Sequence, residues 1–127
     1  MNWEIKEKLK IHNKLRELLT RAKNRNLSNK GSFDFTSSEI KQVIKIFDDH
    51  KYLLSSEIGD SWEKITNKEG NKELLLSVDF SERETNLIPL EIDDNFLGIV
   101  EIELNRLKSA NKGLLFLWKK IWKHQKK

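Results

Sequence analysis

Asp48-Asp49-His50 is the densest run of ionisable residues in the chain. An aspartate pair holding a divalent ion beside a histidine base is one way to build a metal-dependent nuclease. Adjacent residues on a helix point about 100° apart, however, so these three side chains diverge, and a solvated helix end accounts for them. Glu39-Ile40-Lys41 has the carboxylate-x-lysine spacing of some nucleases, where it sits on a strand behind another acidic residue. Here it opens a helix, and capping accounts for it. Glu91 with Asp93-Asp94-Asn95 gathers oxygens that suit a hard cation, but a calcium loop needs ligands at alternate positions, a Gly and a distal Glu, so helix capping is expected instead.

The remaining chemistry is sparse. His12, His50 and His124 fall in three segments, none with a second His three or four residues away, and there is no Cys, so neither a zinc site nor a thiol nucleophile is expected. Glycines stand singly at 31, 59, 70, 98 and 113, which leaves no phosphate-cradling loop. Ser37-Ser38 and Ser55-Ser56 sit in no nucleophile-elbow pattern. The expectation is a non-enzymatic protein with no catalytic residues, no cofactor and no metal.

Charge is sorted along the 127 residues. Residues 1–30 carry nine Lys/Arg against three Asp/Glu, residues 31–105 seven against seventeen, and residues 106–127 eight against none. These blocks have net charges of +6, −10 and +8, which leave the chain at +4. Segregation of this kind favours binding, because it steers encounters with partners of opposite sign. The acidic middle nominates Asp48, Asp49, Asp60, Glu63, Asp79, Glu82 and Glu84 as partner-binding residues. The basic ends nominate, for nucleic acid, Lys6, Lys10, Lys14, Arg21, Lys119, Lys120 and Lys123 on phosphates, with Phe116 or a Trp stacking on a base.

The elements that must position these residues follow from spacing. Ile5, Leu9, Ile11, Leu15, Leu18, Leu19 and Ala22 recur at helical intervals from Trp3 to about Asn24, opposite Lys6, Lys10, Lys14 and Arg21. Asn24 to Phe35 is rich in Asn, Ser and Gly and reads as a loop. Thr36 with Glu39 three residues on is a capping box, and Ile40, Val43, Ile44, Phe47 and Leu54 form the apolar stripe of a helix ending between Asp49 and Gly59. Trp62 to Thr66 and Glu73 to Phe80, joined through Asn67-Lys68-Glu69-Gly70-Asn71, read as a hairpin, with Leu74, Leu76, Val78 and Phe80 sharing a parity. Leu87 to Ile92 supplies a third strand, at an edge because of Pro89. Beyond Asp93-Asp94, Phe96, Val100, Leu104 and Leu107 predict a helix, although residues 96–104 also alternate as a strand would. Asn111-Lys112-Gly113 interrupts it, and Leu114 to His124 forms a last short helix with Trp118 and Trp122 on its core face. That segment reads as a docked terminal helix, with nucleic acid, a membrane surface or a partner protein as the other uses of an aromatic amid lysines.

The expected architecture is one α+β domain: two N-terminal helices, a small antiparallel sheet in the middle and a C-terminal helical segment. Five charged residues among the first ten leave no secretory apolar stretch, and the longest apolar run, Leu114 to Trp118, is far short of the about 20 residues a spanning helix needs. A cytoplasmic protein is expected. Lys, Asn and Ile are abundant and Pro, Gly and Ala scarce, the usage of AT-rich coding DNA. The function expected is a protein-binding module, most concretely an immunity or antitoxin-like protein whose acidic middle neutralises a basic nuclease toxin. A nucleic-acid-binding protein using the basic ends comes second, and a small metal-dependent nuclease using Asp48, Asp49 and His50 third.

Overall fold

The computed structural model describes residues 3–26, 31–78 and 87–125, with side chains through residue 113. The fold is α+β, a mostly helical chain with a two-stranded antiparallel sheet. In α1 (Trp3–Arg25), Leu15, Leu18, Leu19 and Ala22 repeat at intervals of three and four and are completely buried, while Lys6, Lys10 and Arg21 stay exposed. Gly31, at a φ of +90°, turns the chain through the left-handed region that favours glycine and leads into β1 (Ser32–Phe35). α2 (Ser37–Asp49) begins at the capping box. Thr36 Oγ1 accepts from the Glu39 N–H at 3.1 Å, and the Glu39 carboxylate accepts from the Thr36 N–H at 3.0 Å. A 3-10 turn (Lys51–Leu53) precedes α3 (Ser56–Asn67), α4 (Glu69–Leu76), β2 (Ile88–Glu91) and α5 (Asp94–Gln125).

β1 and β2 pair with Phe33 opposite Leu90 and Phe35 opposite Ile88, and all four face the core. Ile92 donates its N–H to the Gly31 carbonyl, which fixes the ladder so that Glu91 and Pro89 on one strand, and Ser32 and Asp34 on the other, turn their backbone groups outward. Side chains meet those groups. The buried Asn71 accepts from the Glu91 N–H and donates to the Glu91 carbonyl, both at 2.8 Å, and donates again to the Ile65 carbonyl at 2.9 Å. Pro89 has no N–H to leave open. On the other margin Arg25 donates to the Asp34 carbonyl at 2.9 Å and Asn26 to the Ser32 carbonyl at 3.3 Å.

α5 packs along α1 and against α3 through Phe96, Leu97, Val100 and Leu104. Each large apolar side chain so buried contributes about 1.5–3 kcal/mol. α1 and α5 run antiparallel, with Lys23 beside Asp94 at 3.6 Å at one point and His12 facing Glu103 further along.

Four expectations are corrected. Trp62–Thr66 is not a strand: Ser55 Oγ caps α3 by accepting from the Ile58 N–H at 3.3 Å, and Ile58, Trp62 and Ile65 then bury one helical stripe. Residues 73–76 belong to α4, where Leu74 and Leu75 pack on the core and Leu76 is 79% exposed, so the shared parity of Leu74, Leu76 and Val78 has no sheet behind it; Phe80 lies outside the described residues. Ser32–Phe35, expected within a loop, is a strand whose two Phe alternate with Ser and Asp. Finally, Asn111-Lys112-Gly113 does not break α5, since a lone helical Gly costs only about 1 kcal/mol and no Pro follows. Of the stripe expected for α2, Ile40, Val43 and Phe47 are buried, Ile44 is half-buried, and Ile46 is buried as well; Leu54 is buried beyond the helix end. The helix at 96–104 and the edge strand carrying Pro89 are as expected.

Candidate functional site

Four of the seven acidic candidates are brought together. Asp48 and Asp49 end α2, Asp60 and Glu63 lie one turn apart on α3, and all four are exposed. Asp48 and Glu63 line one groove of about 590 Å³, floored by Phe47 and Trp62. Glu63 also lines a second hollow, of about 550 Å³, with Asp60, and Asp48 a third, of about 310 Å³, with Asp49. The shared residues make these a single continuous face. The floor is an aromatic stack, in which the Trp62 ring lies on Phe47 at 4.7 Å and 8° and 6.2 Å from Phe96. Asp79, Glu82 and Glu84 lie outside the described residues.

The face is mixed in sign rather than uniformly acidic. Lys41, Lys45, Lys51, Lys64 and Lys68 line the same hollows, and Lys68 is held at 2.9 Å by Glu91. Among the described residues, none of Asp48, Asp49, Asp60 and Glu63 is in a salt bridge. Asp48 and Asp49 also stand in the last turn of α2, which has no basic residue, so both meet the negative end of the helix dipole.

Of the basic candidates, Lys6, Lys10, Lys14 and Arg21 share one arc of α1. Lys14 lies 3.9 Å from Glu17 and Arg21 also pairs with Glu17, whereas Lys6 and Lys10 are in no salt bridge among the described residues. The side chains of Phe116, Lys119, Lys120 and Lys123 lie outside the described residues, as do those of Trp118 and Trp122.

His50, the third member of the candidate nuclease run, is half-buried, with its ring 6.5 Å from Tyr52 and its Nδ1 buried and, among the described residues, without a hydrogen-bond partner. Among the described residues no three His, Asp or Glu side chains gather in a way that could hold a metal ion, and no helix is long and apolar enough to cross a membrane.

Three polar features escaped the sequence. Arg25 forks onto Glu39, the capping residue of α2, with Nη2 to Oε2 at 2.8 Å and Nη1 on Oε1. Burial pushes the Glu39 carboxyl up, but the Arg25 hydrogen bonds, the Thr36 N–H and the Arg25 charge outweigh it and hold it below its ordinary value. His12 is 1% exposed; its Nδ1 donates to the Lys8 carbonyl at 2.6 Å, its Nε2 has no hydrogen-bond partner among the described residues, and burial lowers its pKa. Asn71, expected in a turn, is the third. Only its residue type, a turn former at a helix start, hinted at anything, and the hint pointed to a loop.

No protein-family model, no curated protein and no solved structure matches this chain.

Proposed function

We propose that this protein is a non-enzymatic binding module that captures a basic protein partner on its α2/α3 face, acting in the cytoplasm as an immunity or antitoxin-like inhibitor of a cationic nuclease toxin. The observation that carries this reading is the set of Asp48, Asp49, Asp60 and Glu63, gathered from two helices onto one face and, among the described residues, in no ion pair. Two of them occupy a helix end where a cation would stabilise the fold, so local stability does not explain their presence. The interleaved lysines make the face selective: a partner must match their repulsion as well as the carboxylates' attraction.

Affinity capture tests the reading, using the native protein and a variant in which Asp48, Asp49, Asp60 and Glu63 are all changed to Lys. The expected result is a lysine- and arginine-rich protein retained by the native chain and lost by the variant, whose cleavage of nucleic acid stops when one equivalent of the native chain is added. Equal retention by both proteins, or capture of nucleic acid in place of a protein, would reject it.

A further inference from the structure

Gly59, Trp62, Glu63 and Thr66 stand at intervals of three and four along α3, and this stripe lines the groove of about 590 Å³ together with Phe47, Asp48 and Lys51. The core explains Trp62, which is buried and stacked on Phe47. Nothing in the fold explains Gly59. It is the fourth residue of α3 and donates its N–H to the Ser55 carbonyl at 3.1 Å, as any helical residue there would. Its φ is not positive, in contrast to that of Gly31. A Cβ at this position would meet nothing closer than Lys51 Cε, at 3.9 Å, which is an ordinary contact. Glycine is the poorest helix former after proline, yet neither a turn nor a close approach asks for it here. What its missing side chain does is leave open the groove that Asp48 and Glu63 line.

We propose that this groove receives an arginine side chain of the partner and that Gly59 is the residue that admits it, an inference that rests on the reading of the α2/α3 face as partner-binding. Charge complementarity selects the occupant. Asp48, Glu63 and Lys51 are in no salt bridge among the described residues, so the groove carries one net negative charge, which one cation neutralises. Guanidinium suits it better than ammonium. A flat, weakly hydrated fork presents several N–H groups to the carboxylates at once, whereas a lysine would bring a compact, strongly hydrated charge toward Lys51. The methylene stem of the arginine then covers apolar surface at the Phe47 and Trp62 floor. A long side chain at position 59 would take up that space.

The test is an NMR titration of the full chain with acetyl-Gly-Arg-Gly-amide, beside the same peptide with lysine in place of arginine. Saturable shifts of the Gly59, Trp62 and Glu63 amide signals are expected with the arginine peptide, at an affinity about fivefold or more above that of the lysine peptide. Gly59→Leu should weaken this binding about tenfold or more. Asp48→Asn with Glu63→Gln should weaken it as much without altering the space in the groove. Gly59→Ala should raise the melting temperature by about 2–5 °C. The proposal falls if the arginine peptide gives no saturable shift at these residues, if the lysine peptide binds as tightly, or if Gly59→Leu binds like the native chain. A lower melting temperature for Gly59→Ala would overturn it too, because the glycine would then serve the fold. Affinity capture separates its failure from that of the broader reading: a basic protein retained by Gly59→Leu but lost when all four carboxylates become Lys leaves the binding face standing and removes the groove from it.

Discussion

Arg25 at the end of α1 and Glu39 in the first turn of α2, fourteen residues apart, close a fork in which the two terminal guanidinium nitrogens each meet one carboxylate oxygen, and one of those oxygens also accepts the Thr36 N–H. One carboxylate thus caps a helix and ties two helices together. Arg25→Ala should cost about 2 kcal/mol, because it leaves a buried carboxylate without its cation, and Thr36→Ala about 1 kcal/mol. The lowered pKa of Glu39 means that its contribution is fully present above the ordinary carboxylate value and is lost as pH falls through the folded one. Glu39→Gln should therefore be less stable at neutral pH and show a shallower loss in acid, measured by urea unfolding across the acid range.

His12 gives a second pH dependence, of different origin. Burial disfavours its charged form and outweighs the Lys8 carbonyl and the Glu103 charge, which favour protonation, while the Lys8 charge opposes it. The unfolded chain then binds a proton more readily than the folded one, so stability should fall as pH drops below 6.5, the ordinary value, toward the lower folded pKa. His12→Phe should flatten melting temperature against pH in that window. A native curve already flat there would show that His12 is not held neutral.

At Asn71 the chemistry of the amide can be separated from its size. Asn71→Ala should cost about 2–4 kcal/mol, since it leaves the backbone groups of Glu91 and the Ile65 carbonyl without their partner. Asn71→Asp should be worse than Ala at neutral pH despite its matching shape, because a carboxylate cannot donate to two carbonyls and would face both. Urea midpoints of the two variants give the order.

A fourth expectation sets stability against binding. Replacing Asp48 and Asp49 with Lys removes two carboxylates from the negative end of the α2 dipole, so the fold should gain a few tenths of a kcal/mol for each change while association with a basic partner slows. A loss of stability would show that these carboxylates serve the fold.

The helices with complete local signals were legible: Thr36 and Glu39 announced α2, the spacing of Leu15, Leu18 and Leu19 announced α1, and Pro89 marked an edge strand. α3 was missed because Trp62–Thr66 is too short to separate a period of two from one of 3.6, and the stripe becomes visible only when Ile58 is counted with Trp62 and Ile65. β1 was hidden by the Asn, Ser and Gly residues that precede it, since its partner strand lies more than fifty residues away in sequence. The carboxylates of the α2/α3 face could be named from charge alone. The lysines among them could not, because their placement depends on how two helices pack.

Among the described residues the sheet has two strands, and side chains meet each margin: Asn71 of α4 on β2, and Arg25 at the end of α1 with Asn26 just after it on β1. A margin with free backbone groups is a template on which another chain can add a strand, the first step toward strand exchange and fibres. Here the outward groups of Glu91, and the carbonyls of Ser32 and Asp34, are occupied before any other chain arrives. Strand addition at those positions would have to displace the fold's own side chains first.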